Sequence, residues 1–276
     1  MPKKELSAAM TARELIRLAL AEPIRNLLAV THALGEGGDS EAVHRARVAV
    51  RKIRSYLRTF SPVLNTIWAE GLRERLRWLS DGLSAARDAD IIFERTGSLE
   101  AFVATRDEAH SHVKEMVQDP RYLAIASELA GALEHLQGNA RIEEPARDIM
   151  CPLLSRTWKR LCKRARRCHR DPSDAGLHRV RIAAKHMRYA AEAFVPIAGR
   201  RADTFAHKLA TLQDVLGEEH DAAVTALRLK EVEDMPEMAQ SAGTLAARET
   251  KAARRARSHW RRAWHAVTTR KRFWQE

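Results

Sequence analysis

His44, Arg47, Arg51, Arg54 and Arg58 follow one another at steps of three and four residues, the spacing that lines side chains up along one side of an α-helix. His178, Arg181, Lys185 and Arg188 repeat the pattern 134 residues later, and Glu192 stands where Arg58 would recur. Rows of this kind are suited to gripping an anion with several charged groups in series. Arg offers a planar fork to phosphoryl or carboxylate oxygens, and Lys a compact point charge. A His in the row donates a hydrogen bond when neutral and adds charge when protonated.

The elements that carry these rows are amphipathic helices. Val43, Ala46, Val50, Ile53, Leu57 and Phe60 form a buried stripe one residue out of step with the first cationic row. Leu177, Val180, Ala184, Met187 and Phe194 do the same beside the second. Between His44 and Phe60 on one side and His178 and Phe194 on the other, six of seventeen positions are identical. Four of the six are His or Arg, because Arg45 and Arg179 match as well as His44/His178, Arg47/Arg181 and Arg54/Arg188. An ordinary amphipathic repeat would keep its apolar positions first, so the match points to a duplication in which the cationic face was retained. Like charges at this spacing each cost roughly 0.2 to 0.5 kcal/mol on a helix surface. An anionic ligand would offset that cost; a solvated face, or carboxylates on a neighbouring helix, are the alternatives.

A second pair of blocks matches at an offset of 133: Asp81–Asp88 (DGLSAARD) lies opposite Asp214–Asp221 (DVLGEEHD), with Arg75-Leu76 opposite Lys208-Leu209 upstream. Asp88 and Asp221 are expected at the start of a following helix, either as caps or as carboxylates that orient the cationic rows. Helical periodicity covers residues 8–34, 41–60, 63–84, 88–95, 100–117, 121–137, 146–169, 175–195, 200–216, 219–233 and 237–270. Gly35–Asp39 and Asp171–Asp174 supply breakers and an N-cap ahead of each basic helix, and no run alternates as a strand would. The expected fold is all-α: two pseudo-symmetric antiparallel four-helix-like bundles, residues 1–140 and 141–276, enclosing a basic central groove or channel.

The chain of 276 residues carries 48 Lys and Arg against 36 Asp and Glu, a net charge of +12. That excess points to an anionic partner, and it resides entirely in the second half, since residues 1–140 hold 19 basic and 19 acidic side chains. Cys151, Cys162 and Cys168 fall in one predicted helix, too few and too clustered for a secreted disulfide framework. A cytoplasmic location is therefore expected. Lys3 and Lys4 open the chain, but Arg13, Glu14 and Arg17 interrupt any signal-peptide core, and no apolar run is long enough to span a bilayer.

The two blocks, each a His-x-x-Arg-x-x-x-(Arg/Lys)-x-x-Arg helix followed by a Leu-rich helix ending in Arg-Asp or His-Asp, resemble the CHAD family, the conserved-histidine α-helical domain. The resemblance covers nearly the whole chain. It implies a helical bundle with internal two-fold symmetry whose basic channel binds inorganic polyphosphate, in some members on cytoplasmic storage granules. It also transfers the binding role to His44, Arg47, Arg51 and Arg54 and to His178, Arg181, Lys185 and Arg188, with Arg75 and Lys208 as wall residues. Arg45 and Arg179, identical in the repeat, and Arg58, which has no basic twin, complete the candidate set. No catalytic residue, metal ligand or cofactor is expected.

Other signals compete less well. Arg156, Arg160, Lys163, Arg167 and Arg170 form a further stepped ridge, whose first-half equivalents Glu22, Asn26, Ala29, Ala33 and Glu36 are not basic, and which reads either as an extension of the site or as a solvated face. Trp260 and Trp264, flanked by Arg254, Arg257 and Arg261, are core residues by spacing rather than a base-stacking platform. Nonspecific nucleic-acid binding is compatible with the net charge, but aromatic content is low and no recognition motif appears. A metal-dependent phosphohydrolase would need His220-Asp221 to meet His110, His112 or His207, without any His-Glu-x-x-His spacing to support it.

Overall fold

The computed structural model describes residues 10–232, 238–269 and 271–275. All regular elements among them are helical. Helices α1 (Ala12–Gly35), α2 (Ser40–Thr59), α3 (Thr66–Arg95), α4 (Val103–Gln118) and α5 (Pro120–Glu134) precede α6 (Ala146–Arg170), α7 (Asp174–Ala193), the single turn α8 (Val195–Ala198), α9 (Arg200–Glu231) and α10 (Ala239–Thr268). The expected helix ends at 8–9, 233, 237 and 270, and Lys3 and Lys4, lie outside the described residues. The junction expected between 140 and 141 falls in the 3-10 turn Ala140–Glu143.

Both cationic helices start where the sequence places a cap. Asp39 accepts a hydrogen bond from the Ala42 amide at 2.8 Å, and Ser173 one from the Gly176 amide at 3.2 Å, each satisfying an amide donor of a first turn. One expectation is corrected. The helices predicted over 63–84 and 88–95 are one helix, α3, and those over 200–216 and 219–233 are one helix, α9. Asp88 and Asp221 therefore lie in helix interiors and cap nothing.

Helices pack in sequence, α1 on α2 on α3 on α4 in the first half and α6 on α7 on α9 on α10 in the second. The halves are joined by contacts of α1 with α6 and α7, of α2 with α7 and of α3 with α9. The apolar stripes of α2 and α7 are buried, and one continuous hydrophobic cluster runs from Ala12 to Trp274. Phe60 and Phe194, 134 residues apart in sequence, meet at the end of this seam with ring centroids 5.7 Å apart. Both are 0% exposed, and burying each ring contributes about 1.5 to 3 kcal/mol. A polar clamp reinforces the join: Arg95 at the end of α3 donates both terminal nitrogens to Glu218 on α9, at 2.9 and 3.0 Å, and its Nε to buried Glu249 on α10 at 2.8 Å.

Trp260 is buried against His169, and Trp264 stacks on Trp158 at 5.7 Å, so the tryptophan pair belongs to the core, as its spacing suggests. No described helix is long and apolar enough to cross a membrane.

Candidate functional site

Because each cationic row borders its own buried stripe, packing α2 against α7 turns parts of both rows toward the same space. A cavity of about 310 Å3 lies there. Helix α2 lines it with Arg47, Arg51, Arg54 and Arg58, and α7 with His178, Arg181 and Lys185. Helix α3 adds Arg73, and Ser55, Ser80, Ile182, His186 and Tyr189 complete the walls.

Few carboxylates balance these charges. Arg47 pairs with Asp88 at 3.3 Å and Arg181 with Asp221 at 3.6 Å, the orienting role left open by the sequence, and Arg73 pairs through a terminal nitrogen with Glu70 one turn back on α3. The Arg47 Nε also donates to Ser84 Oγ at 3.3 Å. In the second matched block Gly217 occupies the position of Ser84, and the Arg181 Nε is buried without an acceptor. So are Arg54 Nε, Arg73 Nε and His178 Nδ1. Among the described residues no ion pair engages Arg51, Arg54 or Lys185. Buried donors without protein acceptors cost about 1 to 3 kcal/mol each, a cost that an anion in the cavity would relieve.

Burial, and after it mutual repulsion, shows in the acid–base behaviour of the walls. Burial, then the positive charges of Arg51, Arg181 and Arg47, push the Lys185 pKa down to about 6. Burial and Arg51 bring Arg47 down to about 10, against the opposing pull of Asp88. Burial first, and Arg181 and Lys185 next, hold His178 below the usual histidine range. His220, whose ring lies 4.6 Å from that of His178, is lowered to about 4 by burial and Arg181. His186 falls to about 3 through burial and the guanidinium of Arg58. Its neutral ring accepts from Arg58 at 3.1 Å and donates to Ser55 at 3.0 Å, so it bridges the row instead of breaking it.

Other candidates lie elsewhere. His44 and Arg45 border a separate depression with Glu22, Asn26 and Lys52. Arg179 is exposed. Arg188 is drawn aside into a 3.0 Å pair with Glu192. Arg75, expected as a wall residue, instead pairs with Glu128 on α5. The geometry is simple: Arg73, Ser80, Ser84 and Asp88 share one face of α3, and a two-residue step from Arg73 turns Arg75 about 200° away. Lys208 likewise lines a different pocket, with Arg200, Phe205 and Lys271. Arg73 and His186 were not singled out by the sequence, although the Arg73-to-Asp88 spacing was visible in it.

The histidines considered for metal-assisted hydrolysis are dispersed. His110 bonds buried Asp90 at 2.8 Å, His207 lies 3.4 Å from Asp203, and His220 is beside His178. Among the described residues no three His, Cys, Asp or Glu side chains gather as a metal would require.

Fold and site together define a class: an all-helical protein with arginine and lysine side chains clustered at the seam between its halves. The chain belongs to the CHAD domain family, whose profile matches residues 18–230. The uncharacterized proteins Rv2226 and MT2285 of two Mycobacterium tuberculosis strains are each 26% identical over 235 residues. Those alignments cover 76% of this chain and 44% of each relative, so the chain spans less than half the length of these curated relatives. Among solved structures, PptA from Streptomyces chartreusis superposes with a TM-score of 0.76 at 21% identity, covering 93% of this chain and all (100%) of PptA. The CHAD domain from the plant Ricinus communis superposes with a TM-score of 0.75 at 24% identity, over 96% of this chain and 94% of its own. At these identities the likeness establishes the fold.

Proposed function

We propose that the chain binds inorganic polyphosphate, without catalysis, in the cavity between α2 and α7. One observation carries this: cations from two helices 134 residues apart face a single cavity, and most have no carboxylate partner. Polyphosphate carries about one negative charge per phosphate and no bases to read, so a series of cations is all its recognition needs. Arg51, Arg54 and Arg58 present forked donors, Lys185 a point charge, and His178 an additional donor from the opposite wall. Membership of the CHAD family supports the same ligand through the resemblance described above. Duplication of an ancestral helical unit accounts for the matching rows, and a cytoplasmic or granule-associated role is consistent with ligand and cysteine content.

Nonspecific nucleic-acid binding is the competing class. The one Phe, Trp or Tyr side chain lining the cavity, Tyr189, is buried, which leaves no exposed aromatic surface there for stacking bases. Competition at physiological salt between long-chain polyphosphate and DNA or RNA of equal total charge separates the two. Polyphosphate is expected to displace nucleic acid, and substituting the cavity residues Arg51, Arg54, Arg58 and Lys185 by Glu is expected to abolish retention. Equal competition, or retention by the fourfold variant, would remove this site from consideration.

A further inference from the structure

The surroundings of the cavity differ between the two halves, although the helices that form them correspond in sequence. On one side, Arg58, Ile182 and His186 belong both to the central cavity and to a smaller depression against α6. That depression is lined by Arg156, Thr157, Arg160 and Arg164. The three arginines are exposed, and among the described residues none pairs with a carboxylate. The charges that act on Arg160 are those of Arg156 and Arg164.

Shifted back by 134 positions, Arg156, Thr157, Arg160, Ile182, Ala183 and His186 become Glu22, Pro23, Asn26, Val48, Ala49 and Lys52, which line the depression between α1 and α2. There Lys52 pairs with Glu22 at 3.6 Å, and on α7 Arg188 pairs with Glu192 at 3.0 Å, so that side offers Arg45 in place of three unpaired arginines. Arg73, which extends the basic wall on α3, has Ala206 at the matching position of α9.

We propose that Arg156, Arg160 and Arg164, joined to the cavity through Arg58 and His186, form an outer subsite for condensed phosphate, so that a long polyphosphate chain leaves the cavity on the α6 side only. This rests on polyphosphate binding in the cavity and adds a direction to it. Short chains are held within the cavity, whereas long chains gain the outer arginines. The stepped ridge on α6 thereby acquires a ligand at Arg156 and Arg160, with Arg164 beside them.

The test compares tripolyphosphate with long-chain polyphosphate at fixed ionic strength, on the full chain. R156E/R160E is expected to weaken long-chain binding about tenfold or more and to flatten its salt dependence by about 1.4 in log–log slope, at roughly 0.7 per lost contact. Tripolyphosphate affinity should stay unchanged, which also reports an intact cavity. K159E/R166E, with the same charge change on the opposite flank of the exposed face of α6, serves as the control. The inference fails if R156E/R160E affects long chains no more than the control does, or weakens both chain lengths equally. If the unmodified protein retains neither ligand, the cavity reading itself falls, and the subsite with it.

Discussion

Lys185 is the residue at which ligand binding and stability oppose each other most sharply. Its pKa falls from an ordinary 10.5 to about 6, so between those values the folded chain binds fewer protons here than the unfolded chain. Stability must then rise with pH across that window, and the cost of Lys185 grows as pH falls toward about 6 and is constant below it. Lys185→Met keeps the bulk and removes the charge. It is expected to raise the Tm of the free protein by about 2 to 4 °C while weakening polyphosphate binding; a fall in Tm would contradict the proposed repulsion. Phosphates beside Lys185 and His178 would raise both pKa values, so binding should take up protons and tighten from pH 8 to pH 6. Calorimetry in buffers of different ionisation enthalpy measures that uptake directly. A proton count of zero at pH 7 would show that the ligand does not reach these side chains.

At the scale of helices, the cationic and apolar stripes of α2 and α7 were legible because both follow the same period in adjacent registers. The capping residues were legible too, since Asp39 and Ser173 precede their helices as the side-chain chemistry of caps requires. The interiors of α3 and α9 were not. Asp88 and the Gly217-to-Asp221 segment look like helix boundaries in sequence, but long-range pairing of the carboxylates with Arg47 and Arg181 gives them another task. Which face of α3 meets the cavity was likewise settled by packing, and this separates Arg73 from Arg75. Two outcomes belong here. Asp221→Asn leaves Arg181, largely buried, without its partner, and should lower Tm by several degrees, with part of the loss recovered on adding polyphosphate. Phe194→Ala removes half of the aromatic contact at the end of the seam and should cost about 3 to 5 kcal/mol in a denaturant titration; a loss below 1 kcal/mol would mean that the seam is held elsewhere.

For the whole molecule, net charge alone is a poor guide to the site. The first half is neutral overall, yet it supplies Arg47, Arg51, Arg54, Arg58 and Arg73 to the cavity, while the excess of the second half extends onto α6 and α10. The join between halves matters more, because the cavity exists only where α2 meets α7. The most direct measurement of the central claim is diffraction from crystals of the full chain grown with tripolyphosphate. A chain of phosphate density bridging Arg51 and Arg54 of α2 to Lys185 and Arg181 of α7 is the predicted result. Phosphates scattered over the outer surface, with none between the two helices, would contradict it.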